Sequence, residues 1–329
     1  MKILVTGGTG YIGSHTCVEL LKNNYEVVIV DNLSNSSIDV VDKIEKITNK
    51  TVKFYKADIL DENELDKIFK ENEIDAVIHF AALKAVGESV QKPLEYYTNN
   101  VYGSLVLFKV MKKHSCYKIV FSSSATVYGD ISKSPLNEKM PTSTINPYGT
   151  SKLMIENILA DLYKADRNFQ ISILRYFNPI GAHESGLLGE KPNGIPNNLM
   201  PYITLVAKGK LEKLNVYGND YNTIDGTGVR DYIHVEDLAV GHLKAMHNIH
   251  EGINIYNLGT GTGYSVLQIV ETFEKVNNIK INYEIVERRE GDTDICFADT
   301  SKSKEELGFE TVKTLEDMCK SSWNFEKNN

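Results

Sequence analysis

The chain of 329 residues is long enough for one large domain or two of ordinary size, and 42% hydrophobic with 24% charged residues is the balance of a soluble globular protein. A formal net charge of −8 argues against a nucleic-acid or acidic-membrane partner, and it means that an anionic substrate needs a local cluster of Arg or Lys. No apolar run approaches the ~20 residues that span a bilayer. The four cysteines are scattered without a C-x-x-C pair, and a first strand starting at Lys2 leaves no signal peptide, so a cytoplasmic protein with free thiols is expected.

Lys2–Thr6 (KILVT) is a run of apolar and β-branched residues cut off by glycine, and it reads as a buried strand. The loop Gly7-Gly8-Thr9-Gly10-Tyr11-Ile12-Gly13 follows at once. Residues 14–23 then read as a helix with Cys17, Val18, Leu20 and Leu21 facing a sheet, and 26–30 as a second apolar strand ending in Asp31. Strand, glycine turn, helix, strand and acid is the order a dinucleotide site requires. Gly7, Gly10 and Gly13 let the backbone turn tightly and approach a pyrophosphate, whose charge the N–H groups of the helix start would meet. By itself the loop also fits a tight turn with no ligand. Its place before a helix favours the dinucleotide, as does Asp31, which falls where it can accept both hydroxyls of an adenine ribose. Residues 32–37 (NLSNSS) hold no Arg or Lys for a 2′-phosphate, and Asp31 would repel one; the expected cofactor is NAD, not NADP.

Strand-like segments recur at 52–55, 76–79, 118–122 and 171–175 with helical stretches between most of them, and 253–258 can add a seventh strand. This alternation predicts an α/β fold with a Rossmann-type, doubly wound parallel sheet of about seven strands and ligands at the carboxyl ends of the strands. After about Tyr176 the composition shifts to Gly, Pro and Asn, and loops of that kind carry binding work on a rigid scaffold. The expected division is a cofactor-binding domain over 1–176, completed by a returning segment near 231–258, and a smaller α/β substrate-binding lobe over 177–329. Helices over 93–113 and 151–164 carry Val101, Leu105 and Phe108, then Ile155, Ile158 and Leu162, at helical spacing. Facing the sheet explains most of these; a homodimer built on the two helices is a further expectation.

Tyr148-Gly-Thr-Ser-Lys152 is the second informative stretch. Residues four apart at a helix start share a face, so Tyr148 and Lys152 point the same way. A free phenol with a pKa of about 10 is too weak an acid to serve as a base at neutral pH. A neighbouring ammonium and a positively charged nicotinamide ring would each favour the phenolate. Alone, a Y-x-x-x-K pair is an ordinary exposed helix pair; downstream of the glycine loop and of Phe121–Gly129 (FSSSATVYG) it reads as catalytic. Ser124 follows the fifth strand, where its hydroxyl can reach a reacting oxygen. His242, His247 and His250 read as the solvated face of a helix, His79 as a hydrogen-bonded structural residue, and no metal site is expected.

At these residues the chain resembles the UDP-glucose (UDP-galactose) 4-epimerases of the extended short-chain dehydrogenase/reductase family. The likeness runs over nearly the whole length through TGGTGYIGSHT, VIHFAALKAVGESVQKPLEYY, FSSSATVYGD, PYGTSK, LRYFNPIGAH, GIPNNLMPY, DGTGVRDYIHVEDLA and RREGD. The resemblance implies an isomerase of galactose metabolism with tightly bound NAD, a UDP-sugar substrate and a homodimeric state. In the mechanism it implies, Tyr148 takes the 4-hydroxyl proton while C4 is oxidised by NAD. The 4-keto sugar then turns about its diphosphate link and is reduced from its other face. Lys152 would hold the ribose and tune Tyr148, and Ser124 would steer the 4-hydroxyl. Further cofactor contacts are implied at Tyr11, Ile12, Asp31, Asn32, Asn35, Asp58, Ile59, Phe80, Lys84, Asn99 and Phe177. Nucleotide-sugar contacts are implied at Asn178, Asn198, Leu199, Asn215, Tyr217, Arg230, Arg289, Asp292 and Cys296.

Arg230 and Arg289 make sense as the missing cations, since a guanidinium grips a diphosphate well, although either alone also fits a surface salt bridge. Asp58 and Lys84 would read as ordinary strand-end charges without the family. Related 4,6-dehydratases place an Asp-Glu pair where this chain has Ala125-Thr126, so loss of water is disfavoured. Members restricted to plain hexoses tend to have Tyr where this chain has Cys296; the small thiol either leaves room for an N-acetyl group at C2 or is a buried filler. The alternatives are an epimerase acting mainly on UDP-N-acetylhexosamines or UDP-uronates, and a non-catalytic NAD-binding sensor.

Overall fold

In the computed structural model the β-branched runs become strands and the amphipathic stretches between them become helices. The structure describes residues 1–329 except 131–132, 192–193, 195, 197 and 290–291; Ile195 and Asn197 of GIPNNLMPY, and Glu290 and Gly291 of RREGD, thus lie outside the described residues. The first part of the chain runs β1 (Lys2–Thr6), α1 (Tyr11–Lys22), β2 (Glu26–Asp31), α2 (Asp39–Thr48), β3 (Lys53–Lys56), α3 (Glu62–Asn72) and β4 (Ala76–His79). It continues with α4 (Val86–Gln91), α5 (Pro93–Tyr96), α6 (Gly103–Lys113), β5 (Lys118–Ser122), α7 (Pro147–Ala165) and β6 (Gln170–Tyr176). Then follow β7 (Asn178–Ile180), α8 (Leu199–Ala207), β8 (Leu214–Tyr217), β9 (Val229–His234), α9 (Val235–His247) and β10 (Gly252–Leu258). The chain ends with β11 (Gly263–Ser265), α10 (Val266–Asn277), β12 (Tyr283–Val286), β13 (Ile295–Cys296), α11 (Ser301–Leu307) and α12 (Leu315–Asn328).

These elements form two units. One comprises residues 1–129, 141–175 and 239–256; the other comprises 130–140, 176–238 and 257–329. The first is built on a seven-stranded sheet in the order β10-β6-β5-β4-β1-β2-β3, with the ladders from β3 to β6 parallel. Leu4, Val77, Ile119 and Ile171 on the strands pack with Leu107 and Met111 of α6 and Leu159 of α7 in one apolar core. Truncating a side chain of this kind to Ala costs about 2–5 kcal/mol. In the second unit β9 pairs with β7, β11 and β13, while β8 pairs with β12. Met200, Ile203, Val216, Phe273 and Met318 fill its own core.

Three details depart from the sequence reading. The first helix begins at Tyr11, three residues early, because Gly10 serves as its N-cap. The run over 93–113 is not one regular helix: residues Tyr97–Tyr102 take the wider π form, with Asn100 buried inside it. His242, expected on a solvated face, is buried in α9 with its ring 4.7 Å from that of Phe80, and α9 stops at His247, before His250. A helical period marks a face, but it does not say which neighbouring element covers it.

Candidate active site

Parallel strands bring the ends of β1 to β5 to one edge of the sheet, and the candidate residues of the first unit follow those ends. After β1, Gly7 has φ +70°, its N–H donates to the Val30 carbonyl at 2.8 Å, and its own carbonyl accepts from Gly10 N–H at 3.0 Å. A Cβ on Gly13 would stand 2.2 Å from the Gly7 oxygen, and one on Gly7 would stand 2.8 Å from the Ala81 nitrogen. Only glycine lets the loop lie this flat. The helix behind it has no side-chain cap and no acid in its first turn, which keeps the positive end of its dipole unopposed. Tyr11 and Ile12 open that helix, and the Tyr11 ring meets His15 edge-on at 5.5 Å.

At the tip of β2, Asp31 is locked in place. Its carboxylate accepts from Thr9 N–H (3.2 Å), Leu33 N–H (2.9 Å) and the Ser36 hydroxyl (3.1 Å). Asn32 donates to Asp58 at 2.9 Å, and Asp58 also accepts from Leu60 N–H, so the loops after β2 and β3 are tied together beside buried Ile59. Asn35 and Lys84 are exposed. Asn99 donates to Asn100 at 3.0 Å. A glycine cradle, a fixed acid and no neighbouring cation over residues 32–37 fit NAD.

Helix α7 starts on Asn146, whose side chain accepts from Gly149 N–H at 2.8 Å. Tyr148 and Lys152 therefore sit one turn apart, with the Lys152 ammonium 6.0 Å from the Tyr148 ring centre and 5.0 Å from that of Phe121. Lys152 is 2% exposed and donates to the Ser122 carbonyl at 2.8 Å. Burial pushes its pKa down to about 7, against an upward pull from Glu156. Ser124 accepts from Thr126 N–H (3.2 Å) and the Thr126 hydroxyl (3.0 Å), so its own O–H is what remains to donate. His79 is no base: it is buried between the Thr6 and Ser104 hydroxyls at 2.7 and 2.9 Å, and burial holds its pKa down near 3.

Several residues not singled out in the sequence hold this arrangement. Buried Asn100 bonds Leu83 on both backbone groups and donates to the Ser151 hydroxyl at 3.0 Å; Ser151 in turn donates to the Tyr148 carbonyl at 2.7 Å. Glu156, one turn beyond Lys152, accepts from Ser123 (2.5 Å) and from Arg175 (3.1 and 2.6 Å). The visible signals were an Asn inside an otherwise helical run and an acid four residues after the lysine.

In the second unit, Arg230 on β9 donates to the Val229 and Thr293 carbonyls at 2.9 and 2.8 Å and pairs with Asp292 at 3.3 Å. Cys296 on β13 is its partner in register, half-buried, and burial pushes its thiol pKa up. The Arg289 guanidinium lies 3.9 Å over the Tyr217 ring, and Asn215 is two residues before Tyr217 on the same strand. Phe177 is buried, with its N–H donating to the Leu258 carbonyl, and exposed Asn178 opens β7. Asn198 precedes Leu199 at the start of α8 and is tied to Glu190 at 2.7 Å. Asp231, unremarked in the sequence, follows Arg230 on β9, is buried, and accepts from the Thr260, Gly261 and Ala298 N–H groups and the Thr260 hydroxyl. Among the described residues no group of three or more His, Cys, Asp or Glu could hold a metal ion.

A family model described as GDP-mannose 4,6 dehydratase matches residues 4–322. UDP-glucose 4-epimerases from Bacillus subtilis and Pasteurella multocida are 58% and 61% identical, each alignment covering 100% of this chain and 98% of the relative. The crystal structure of UDP-glucose 4-epimerase from Bifidobacterium longum in complex with NAD+ and UDP superposes with a TM-score of 0.97 at 56% identity, covering 100% of this chain and 99% of that one. On this likeness over its full length, the chain belongs to the UDP-glucose 4-epimerases of the extended short-chain dehydrogenase/reductase family.

Proposed function

We infer that the protein is an NAD-dependent isomerase that interconverts UDP-glucose and UDP-galactose through a 4-keto sugar. The observation that carries this is Tyr148 and Lys152 one turn apart, with Ser124, at the same sheet edge as the glycine cradle and Asp31. Gly7, Gly10, Tyr11, Ile12 and Gly13 would hold the pyrophosphate, and Asp31 the adenine ribose. Asn32, Asn35, Asp58, Ile59, Phe80, Lys84, Asn99 and Phe177 would complete that site. Bound NAD supplies a two-electron acceptor and donor, so no net oxidation results.

Tyr148 takes the proton of the 4-hydroxyl as the ketone forms and returns a proton when the opposite face is reduced. Lys152, buried and close to the phenol ring, favours the phenolate by its charge. The Ser124 O–H donates to the reacting oxygen. Arg230 and Arg289 grip the diphosphate, while Asn178, Asn198, Leu199, Asn215, Tyr217 and Asp292 hold the rest of the nucleotide sugar. The Ala125-Thr126 pair has no carboxyl group to eliminate water, which sets this chain apart from a dehydratase. The small Cys296, half-buried beside Arg230, would leave room for an acetylated amine at C2, so UDP-N-acetylhexosamines are proposed as further substrates.

A homodimer is proposed on the face of α4 to α7, where Val90, Leu94, Tyr102, Leu105 and Met154 are exposed. Phe108 and Ile155, by contrast, are buried in the core, and Val101, Ile158 and Leu162 pack against it. Four free cysteines fit a cytoplasmic setting, and no helix among the described residues is long and apolar enough to cross a membrane.

The deciding experiment is to incubate the purified protein with UDP-galactose, adding no cofactor, and to separate the products. UDP-glucose should form, and Tyr148→Phe should lower kcat by roughly 10²–10⁴-fold. A chain that leaves every nucleotide sugar unchanged, or a fully active Tyr148→Phe variant, overturns the reading.

A further inference from the structure

Ser122, Ser123 and Ser124 leave β5 in succession, and each has a different task. The Ser122 carbonyl accepts from Lys152, and the Ser123 hydroxyl donates to Glu156 at 2.5 Å. Ser124 keeps its proton for the reacting oxygen. Glu156 is thus the point where α7 is fastened to two strands at once: to the end of β5 through Ser123 and to β6 through the two bonds from Arg175. The Ser123 N–H bonds the Leu174 carbonyl at 2.9 Å, next to Arg175, so the fastening closes a ring.

The charges point the same way. Tyr148 and Glu156 on α7 and His79 on β4 surround the Lys152 ammonium, with Arg175 on β6 behind Glu156. His79 is held neutral by burial, which leaves Glu156 as the carboxylate acting on the lysine. An ammonium taken out of water loses its proton readily unless a negative charge stands near. A buried ion pair is a poor device for stability alone, since an apolar pair of equal volume serves as well or better. A second use is therefore to be sought in what it touches.

We propose that Glu156 is a positioning residue for the epimerase reaction: held by Ser123 and Arg175, it sets Lys152 and the Ser122–Ser124 segment against Tyr148 and supplies the carboxylate one helical turn from the ammonium. This rests on the roles given above to Tyr148 and Lys152. Activity that needs the ammonium falls on the alkaline side as Lys152 loses its proton, and removing the Glu156 charge makes that loss come earlier.

The test is the pH profile of kcat. Glu156→Gln keeps the shape and removes the charge, and it should move the alkaline limb down by roughly one pH unit. Glu156→Asp keeps the charge but shortens the reach; it should leave the limb in place and lower kcat and Tm. Should Glu156→Gln fail to fold with Arg175 left unpaired, Glu156→Gln/Arg175→Met removes both buried charges; because the carboxylate is the nearer of the two to Lys152, the limb should still move down, by less than in the single variant, with Tm near the wild type. A purely structural pair allows the same Tm changes but leaves the limb unmoved in every variant, and that result overturns the proposal. An inactive wild type or an active Tyr148→Phe variant would instead overturn the parent reading, so the two failures are told apart.

Discussion

The Lys152 ammonium donates to the Ser122 carbonyl oxygen at 2.8 Å, so the last residue of β5 decides where the cation of the site stands. The sheet, and not a flexible side chain, sets its distance from the Tyr148 ring. That rigidity has an energetic cost. The lysine is buried, and its pKa is pushed from 10.5 down to about 7.

Lys152→Met should therefore give a more stable and inactive protein. The sign follows from linkage: with a folded pKa below the unfolded one, the unfolded chain binds the extra proton between pH 7 and 10.5. Below that window the ammonium is charged in both states and the fold carries the whole burial penalty. Thermal unfolding at about pH 6 should show Tm raised by a few degrees, with the gain shrinking as pH rises through the window. Turnover should fall at least about a hundredfold. A variant with lower Tm at acidic pH would mean that the contact with Ser122 outweighs desolvation.

His79 gives the opposite end of the pH scale. Its ring is buried between Thr6 and Ser104, and burial, reinforced by the Lys152 charge, lowers its pKa from 6.5 to about 3. As pH falls through that window the unfolded chain takes up a proton that the folded chain refuses, so stability is lost. His79→Asn should be less stable at neutral pH, because it breaks the bonds to both hydroxyls. Its Tm should nevertheless fall less steeply than that of the wild type between about pH 6 and pH 4. Parallel Tm curves would show that another group governs acid unfolding.

The parts of the candidate site that are legible in the sequence are those whose meaning is local. The glycine loop, Asp31 and the Tyr148–Lys152 pair each lie within a few residues of the turn or helix that defines them, and the structure places them accordingly. What stayed hidden depends on partners far along the chain. Asn100 reaches Ser151 across 51 positions, Glu156 meets Arg175 across 19, and Asp231 meets Ala298 across 67. The burial of His242 is of the same kind: its ring lies 4.7 Å from that of Phe80, a long-range neighbour that no helical period can foretell. The π turns around Asn100 escaped as well, since one wide turn inside a good helical sequence leaves the composition unchanged.

Cys296 should decide substrate breadth. It is paired in register with Arg230, which the proposed mechanism sets on the diphosphate, so a large residue there would stand near the sugar. Cys296→Tyr should keep turnover of UDP-galactose within a few fold while cutting that of UDP-N-acetylgalactosamine by at least about tenfold, the effect of roughly 1.4 kcal/mol of lost fit. Competition between the two sugars in one assay measures the ratio directly. Equal losses on both, or none on either, would mean that Cys296 only fills space.

Leu94 tests the proposed dimer. It is 79% exposed, with Val90, Tyr102, Leu105 and Met154 exposed on the neighbouring elements, while Lys92 pairs with Glu88 and Glu95 to give the patch a charged border. A two-fold axis through such a patch would bury Leu94 twice, once from each copy. At about 1.5–3 kcal/mol per fully buried leucine, the pair contributes about 3–6 kcal/mol to association. Leu94→Glu removes this and sets two carboxylates in an apolar interface, so Kd should rise by at least about two orders of magnitude. Sedimentation velocity over a dilution series should then find the wild type at twice the chain mass and the variant at the mass of one chain. Because the substitution lies on the surface, the variant's Tm at high dilution should match that of the wild-type monomer. A wild type that sediments as a single chain at every concentration removes the dimer from the account and leaves this apolar face without a partner.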